Sequence, residues 1–256
     1  MSRVVMVTGA ASGIGAGLAS HFVSLGDRVI ALDMDRGGLA SLADRLASPN
    51  LLSAVADVTD NAQLVRALAK STAHFGHPEV LVNNAGTTGG PQATTLHETP
   101  PDVVDRVIDV NLRAVIRLTA AVLPAMLERR RGVIVNIASV AGLVAFPARA
   151  AYSITKAAVI QVTRAIAVDY GHQGIRSVAL CPGMIDTPMT HWRLAQPALR
   201  EEVLARIPQR TIGTVSDVVS AAAFFGRNMA NLGSGARGVG MVRRRCGSDA
   251  DRRRSQ

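Results

Sequence analysis

The chain has 256 residues, 48% of them apolar and 3% aromatic, so its core is built from Ala, Val, Leu and Ile rather than from rings. That length and apolar share suit one large α/β domain and exclude a mostly disordered chain. The formal charge of +9 does not point to a nucleic-acid partner, because residues 236–256 alone carry seven Arg against two Asp and the body has no basic stripe interleaved with aromatics. Two cysteines, Cys181 and Cys246, suggest neither a disulfide framework nor a metal site, and a reducing cytoplasm is the natural setting. There is no secretory h-region after Met1 and no run of 18 apolar residues, so no membrane span is expected.

The first element is a strand over 3–8, followed by Thr8-Gly9-Ala10-Ala11-Ser12-Gly13-Ile14-Gly15 and a helix over 13–25. Glycines at such a turn let backbone N–H groups approach a pyrophosphate, and the helix N-terminus faces that anion with its positive end. Gly9, Ser12, Gly13, Ile14 and Gly15 are therefore candidate phosphate binders, with a plain structural turn as the alternative. The second strand, 28–33, ends at Asp33. A carboxylate there accepts hydrogen bonds from both hydroxyls of an adenosine ribose and repels a 2′-phosphate. No Arg or Lys stands at Ser12 or Met34, which favours NAD over NADP. The competing role for Asp33 is to cap the helix over 36–47, a task expected rather of Asp35. After the third strand, 51–56, Asp57 and Val58 can reach an adenine ring, though Asp57 or Thr59 can equally cap the helix over 60–75.

The fourth strand, 79–84, runs into Asn83-Asn84-Ala85-Gly86. Asn83, Ala85 and Gly86 are placed beside the riboses, and for Asn83 a role inside the central sheet is equally open. A long helical pattern over 102–129 carries Asn111, for which a bond back to the preceding turn is the alternative role. A strand over 132–138 delivers Ser139, and a helix over 151–170 carries Tyr152 and Lys156, four apart and so on one face. A sixth strand, 175–181, leads to Pro182-Gly183-x-Ile185-x-Thr187. Segment 184–215, with Pro188, Pro197, Pro208 and the one tryptophan, Trp192, reads as an insertion ahead of a helix over 216–226, with a short amphipathic stretch from Pro197 to Arg206. The alternation of strands and helices implies a doubly wound parallel sheet with helices on both faces, and ligands at the carboxyl ends of the strands.

A phenol with a pKa near 10 is a poor base at neutrality, but a neighbouring ammonium stabilises its phenolate. Tyr152 beside Lys156 can then exchange a proton with an alcohol or carbonyl oxygen that the Ser139 hydroxyl holds. Alone, a Y-x-x-x-K pair is surface decoration and a serine at a strand end is a turn residue.

In their order and spacing, the Thr8–Gly15 turn, Asn83–Gly86, Asn111, Ser139, Tyr152/Lys156 and Pro182–Thr187 resemble the short-chain dehydrogenase/reductase family over about residues 1–226. The resemblance implies a single Rossmann-like domain over 1–235 with a substrate lid over 184–215, working as an NAD-preferring oxidoreductase on a secondary alcohol/ketone pair. It implies that Lys156 also binds the nicotinamide ribose and that Asn111 holds a water relaying protons from Lys156. Pro182 and Gly183 then turn the chain under the nicotinamide, and Ile185 and Thr187 contact its carboxamide. Val140, Ala141, Val144, Met184, Met189 and Trp192 are candidate walls of an apolar or mixed substrate pocket; His191 is read as a surface residue. The implied assembly is a homo-oligomer, dimer or tetramer. The alternatives are an NADPH-dependent 3-oxoacyl reductase and a nucleotide-binding but inactive member.

After Phe225 the pattern departs from the family. Ser234-Gly235 can open a last strand, but the expected Asp-Gly-Gly is absent and Gly235, Gly238 and Gly240 weaken it. A missing or ragged seventh strand and a disordered Arg-rich tail over 236–256 are expected, and nucleic-acid or membrane binding by that tail rests on composition alone.

Overall fold

A computed structural model of the chain describes residues 2–226 and the backbone of 239–240. Seven parallel strands lie in the order β3-β2-β1-β4-β5-β6-β7: β1 (Val4–Thr8), β2 (Arg28–Asp33), β3 (Leu51–Val55), β4 (Val80–Asn83), β5 (Gly132–Ile137), β6 (Ile175–Leu180) and β7 (Val239–Gly240). The chain winds outward from β1 to β3 and then returns to place β4 on the other side of β1, in register Val5↔Val80. That reversal opens a crevice between the carboxyl ends of β1 and β4.

The sheet is covered on both faces because its strands are apolar on both. On one face Met6, Ile30, Leu32, Leu81 and Ile134 pack against α3 (Asn61–Phe75) and α5 (Ala114–Glu128). Their alternating neighbours Val5, Val7, Val29, Ala31, Val82 and Val135 pack against α1 (Gly13–Ser24), α2 (Arg36–Leu46) and α9 (Val215–Gly226). The period of two along each strand thus feeds two separate cores. Phe22 and Leu18 on α1 are wholly buried, and each such side chain contributes about 1.5–3 kcal/mol through its burial. Helices α1 and α9 meet closely at Gly17, where a Cβ would sit 2.5 Å from Val215 Cγ1.

The expected helix over 102–129 is one rod with a flaw in it. A π turn, Asp109–Arg113, joins α4 (Pro101–Ile108) to α5. By length and composition Pro101–Glu128 could cross a bilayer, but Val107, Leu118, Val122 and Met126 are buried in this fold, as befits a core helix. The remaining long helix, α6 (Ala150–Tyr170), packs beside β6. Insertion 184–215 contains two short helices, α7 (Pro188–Leu194) and α8 (Pro197–Ala205), linked by Arg193 to Glu202 at 3.8 Å, and Glu202 also pairs with Arg206 at the end of its own helix at 2.6 Å. The seven-residue α7, bounded by prolines, was too short to show a helical period.

Strand β7 contributes only the pairs Ala179–Val239 and Leu180–Gly240. The expected disorder of the Arg-rich tail, and the strand start at Ser234-Gly235, fall outside the described residues.

Candidate functional site

A groove of about 430 Å³ runs along the carboxyl ends of the strands. At its centre the glycine turn after β1 is welded to the loop after β4. Thr8 Oγ1 accepts the amides of Asn84 and Ala85, each at 3.0 Å, while Asn84 Nδ2 donates to the carbonyls of Thr8 at 2.9 Å and Gly9 at 3.1 Å. Gly9 adopts φ +65° with Ala85 Cα 2.9 Å from where a Cβ would be, so only glycine fits the approach. Gly13 has φ +52°, and a Cβ on Gly15 would fall 1.9 Å from Gly9 O. Ser12 caps α1 by position, yet its hydroxyl makes no capping bond. A side-chain-free cradle at a helix N-terminus is the surface a pyrophosphate needs. Gly9, Ser12, Gly13 and Ile14 line the groove; Gly15 does not, because its missing side chain makes room for Gly9 O.

Asp33 stands at one end of the groove. Its Oδ2 accepts the amide of Ala11 and its Oδ1 that of Asp35, both at 3.0 Å. It does not cap α2: Asp35 does, accepting Gly38 N at 3.0 Å. Beyond it lie Asp57 and Val58. Neither Asp57 nor Thr59 caps α3, since Asp60 accepts Gln63 N at 3.0 Å. Asp57 instead accepts the amide and hydroxyl of Thr59, both at 2.8 Å, and faces Arg106 at 3.4 Å. Burial pushes its carboxyl up, but the Thr59 hydrogen bonds and the Arg106 guanidinium prevail and hold it below the usual value. Arg106 also lines the groove, although it comes from α4 and nothing in the local sequence pairs it with Asp57.

Asn83 is not in the groove. Its Nδ2 donates to Asn136 Oδ1 at 2.8 Å and to Thr119 Oγ1 at 3.2 Å, and Asn136 Nδ2 donates to Thr163 Oγ1 at 2.9 Å. All four are buried. They form a polar ladder through the sheet from α5 to α6, so of the two roles open to Asn83 the structure displays the one inside the sheet. Its neighbours Asn84, Ala85 and Gly86 do line the groove. Asn84, quoted only as part of the run, is the one that braces the glycine turn.

The other end collects the titratable groups. Ser139 Oγ accepts Ala141 N at 3.1 Å, leaving its proton to donate elsewhere. Lys156 is 5% exposed, and its Nζ donates to Ile137 O at 2.7 Å and lies 5.7 Å from the centre of the Tyr152 ring. Burial lowers the Lys156 pKa to about 8, with Cys181 opposing. Burial raises the Tyr152 phenol, which the Ser139 hydroxyl only partly offsets. The expected lowering of the phenol by the ammonium is therefore not the net effect. Both groups are driven toward their neutral forms because both leave water.

Asn111 occupies the π turn and is 1% exposed. It does not bond back to its own helix. Its Oδ1 accepts Thr87 N at 2.8 Å, and its Nδ2 donates to Thr87 O at 2.9 Å and to Thr155 Oγ1 at 3.1 Å. Thr155 Oγ1 in turn donates to Tyr152 O at 2.9 Å. Asn111 thereby ties the loop after β4 to the helix that carries Tyr152. A Cβ on Gly86 would meet Asn111 Oδ1 at 3.4 Å and Lys156 Nζ at 3.5 Å, so these two groups flank one glycine.

Pro182, Gly183, Ile185 and Thr187 line the floor, joined by Pro188, Met189 and Thr190. Of the candidate substrate walls, Met189 borders the groove, whereas Val140, Ala141, Val144, Met184 and Trp192 do not, and Trp192 is 56% exposed. Ala141 is buried in the turn Val140–Gly142 after β5, and Val144 is exposed to solvent like Trp192. His191 is an exposed partner of Asp186 at 3.4 Å. Among the described residues no three His, Cys, Asp or Glu side chains cluster as a metal site.

Residues 3–198 match the family model described as short chain dehydrogenase. The chain is 50% identical over 239 residues to 2-(R)-hydroxypropyl-CoM dehydrogenase of Xanthobacter autotrophicus, covering 92% of this chain and 96% of that one. To 2-(S)-hydroxypropyl-CoM dehydrogenase 3 of the same organism the identity is 33% over 241 residues, covering 92% and 93%. Among solved structures, 3-ketoacyl-(acyl-carrier-protein) reductase from Brucella melitensis complexed with NADH superposes with a TM-score of 0.81 at 31% identity, covering 90% of this chain and 93% of that one.

Proposed function

This chain belongs to the short-chain dehydrogenase family and is an oxidoreductase of that family; on that premise we propose that it is an NAD-dependent dehydrogenase of a small secondary alcohol, with 2-(R)-hydroxypropyl-CoM as the first substrate to try. The observation that carries the reading is one groove with Asp33 at one end and Ser139, Tyr152 and Lys156 at the other. Family members bind NAD(P)(H), and Asp33 supports the form without a 2′-phosphate: its carboxylate is held by two amides at the end of β2, where it would repel that phosphate.

Bound there, the dinucleotide supplies the hydride acceptor or donor. Gly9, Ser12, Gly13 and Ile14 hold its pyrophosphate, Asp33 its adenosine ribose, and Asp57 and Val58 its adenine. Ala85 and Gly86 flank the riboses, and Pro182, Gly183, Ile185 and Thr187 hold the nicotinamide end. Ser139 donates its free proton to the substrate oxygen and keeps it beside the Tyr152 hydroxyl. Tyr152 takes the alcohol proton on oxidation and returns it to the ketone on reduction. Lys156, packed under the same helix face, holds the ribose and favours the phenolate while charged. Asn111 keeps the loop after β4 and helix α6 in register beside Lys156, and a water it orders carries protons outward.

The remaining features fit the same reading. The catalytic domain is read over 1–235, with 184–215 as the substrate lid and Met189, Met184, Val140, Val144 and Trp192 as candidate walls, of which Met189 borders the groove. Exposed Ile116 and Ile154, on α5 and α6, support a second copy as the partner covering them in a homo-oligomer. The paucity of cysteine supports a cytoplasmic setting.

The test follows NADH or NADPH formation from NAD or NADP with 2-(R)- and 2-(S)-hydroxypropyl-CoM and simple secondary alcohols, and NADH or NADPH consumption with 3-oxoacyl thioesters. The expected result is turnover of the R alcohol with NAD. Turnover confined to NADPH and 3-oxoacyl thioesters would overturn it, as would binding of NADH without any turnover.

A further inference from the structure

Thr190, on the first turn of α7, is given no part in the reading above, yet it controls the hydroxyl of Thr187. Its Oγ1 accepts the amide of Thr187 at 3.1 Å. Its single proton faces two main-chain carbonyls, Ile185 O at 2.5 Å and Thr187 O at 3.2 Å. The 2.5 Å contact to Ile185 O, an oxygen with no proton of its own, requires that proton, which is thereby committed to the backbone. Thr187 Oγ1 lies 3.1 Å from Thr190 Oγ1. Since Thr190 has no second proton, Thr187 must be the donor in that contact. Thr187 Oγ1 then has only lone pairs left to offer the groove that both threonines line.

We infer that Thr190 is a positioning residue that fixes Thr187 as a hydrogen-bond acceptor, so that the groove selects a primary amide's N–H₂ rather than its carbonyl at the nicotinamide end. The inference rests on the dinucleotide reading of the groove. A hydroxyl free to rotate would take either end of a carboxamide; one whose proton is tied back takes the N–H₂ end alone. That fixes which way the amide turns.

The test compares calorimetric affinities for NAD and for its 3-acetylpyridine analogue, in which a methyl group replaces the amide N–H₂ and the carbonyl is kept. Thr190→Val removes the acceptor for the Thr187 proton while keeping the shape. It is expected to weaken NAD about three- to tenfold, the scale of one hydrogen bond, and to leave the analogue within about twofold, since the analogue has no proton to offer Thr187. Thr190→Ser is expected to restore the wild-type ratio. Equal weakening of both dinucleotides, no weakening of either, or failure of Thr190→Ser to restore the ratio would overturn the proposal. Should Thr190→Val fail to fold, as a thermal melt will show, Thr190→Ala is read by the same criteria. If the wild-type chain binds neither dinucleotide, the reading of the groove itself falls, and the proposal with it.

Discussion

Asp33 Oδ2 accepts the main-chain amide of Ala11 across 3.0 Å, so the end of β2 is fastened to the glycine turn after β1. The same carboxylate that would read a ribose is thereby part of the frame that shapes the phosphate cradle.

Replacing it should act on both. Asp33→Ser removes two charge-assisted hydrogen bonds, each worth about 1.5–3 kcal/mol net of exchange with water. NAD affinity is expected to fall about 10- to 100-fold, and the preference for NAD over NADP to shrink. Calorimetric titration with both dinucleotides checks this; an unchanged ratio would remove Asp33 from the ribose site.

A glycine packed behind the groove and one lining it should separate cleanly. A Cβ at Gly15 would lie 1.9 Å from Gly9 O, a backbone atom that cannot step aside. Gly15→Ala is therefore expected to lose about 1–3 kcal/mol of stability and to bind dinucleotide poorly. At Gly183 no atom lies within 4 Å of an added Cβ, and Gly183→Ala should keep the wild-type melting temperature. Equal melting temperatures for the two variants would contradict the cradle geometry.

The pH behaviour of Lys156 has a definite sign. Its pKa falls from 10.5 unfolded to about 8 folded, because burial disfavours the cation. Between those values the folded chain binds fewer protons than the unfolded one, so stability rises with pH across that window. The cost of burying the charge is full below about pH 8 and gone above about 10.5. The melting-temperature difference between Lys156→Met and wild type should therefore drift in favour of wild type as pH climbs from about 8 to 10.5. A difference that stays flat would mean that Lys156 is not buried as a titrating amine. Tyr152, raised by the same cause, stays protonated at neutrality. Ketone reduction should thus run well at neutral pH, while alcohol oxidation climbs as the medium becomes more alkaline.

The buried ladder offers a contrast between frame and site. Asn83→Ala strands Asn136 Oδ1 without its 2.8 Å donor, and an orphaned buried group costs about 1–3 kcal/mol. For a domain of this size that is a drop of about 2–4 °C per kcal/mol. Dinucleotide affinity should be nearly unchanged, since Asn83 lies outside the groove. A large loss of affinity with an intact melting temperature would return Asn83 to the ribose site.

The sequence by itself determined the doubly wound sheet, the order of its helices and most of the groove, because those follow from signals carried within a few residues. Period-two apolar strands bury both faces, a glycine run precedes a helix, and Tyr152 and Lys156 share a face by spacing alone. Only the tertiary structure decided matters that depend on residues far apart in the chain. It put Asn83 in a ladder with Thr119 and Asn136, set Arg106 over Asp57, and turned Asn111 at a π bulge toward Thr87 and Thr155 rather than toward its own helix. It also set the signs of the Tyr152 and Lys156 shifts. Spacing brings an ammonium to a phenol, but how much water the fold leaves around them decides which form each prefers, and that is a property of the packed groove rather than of the helix.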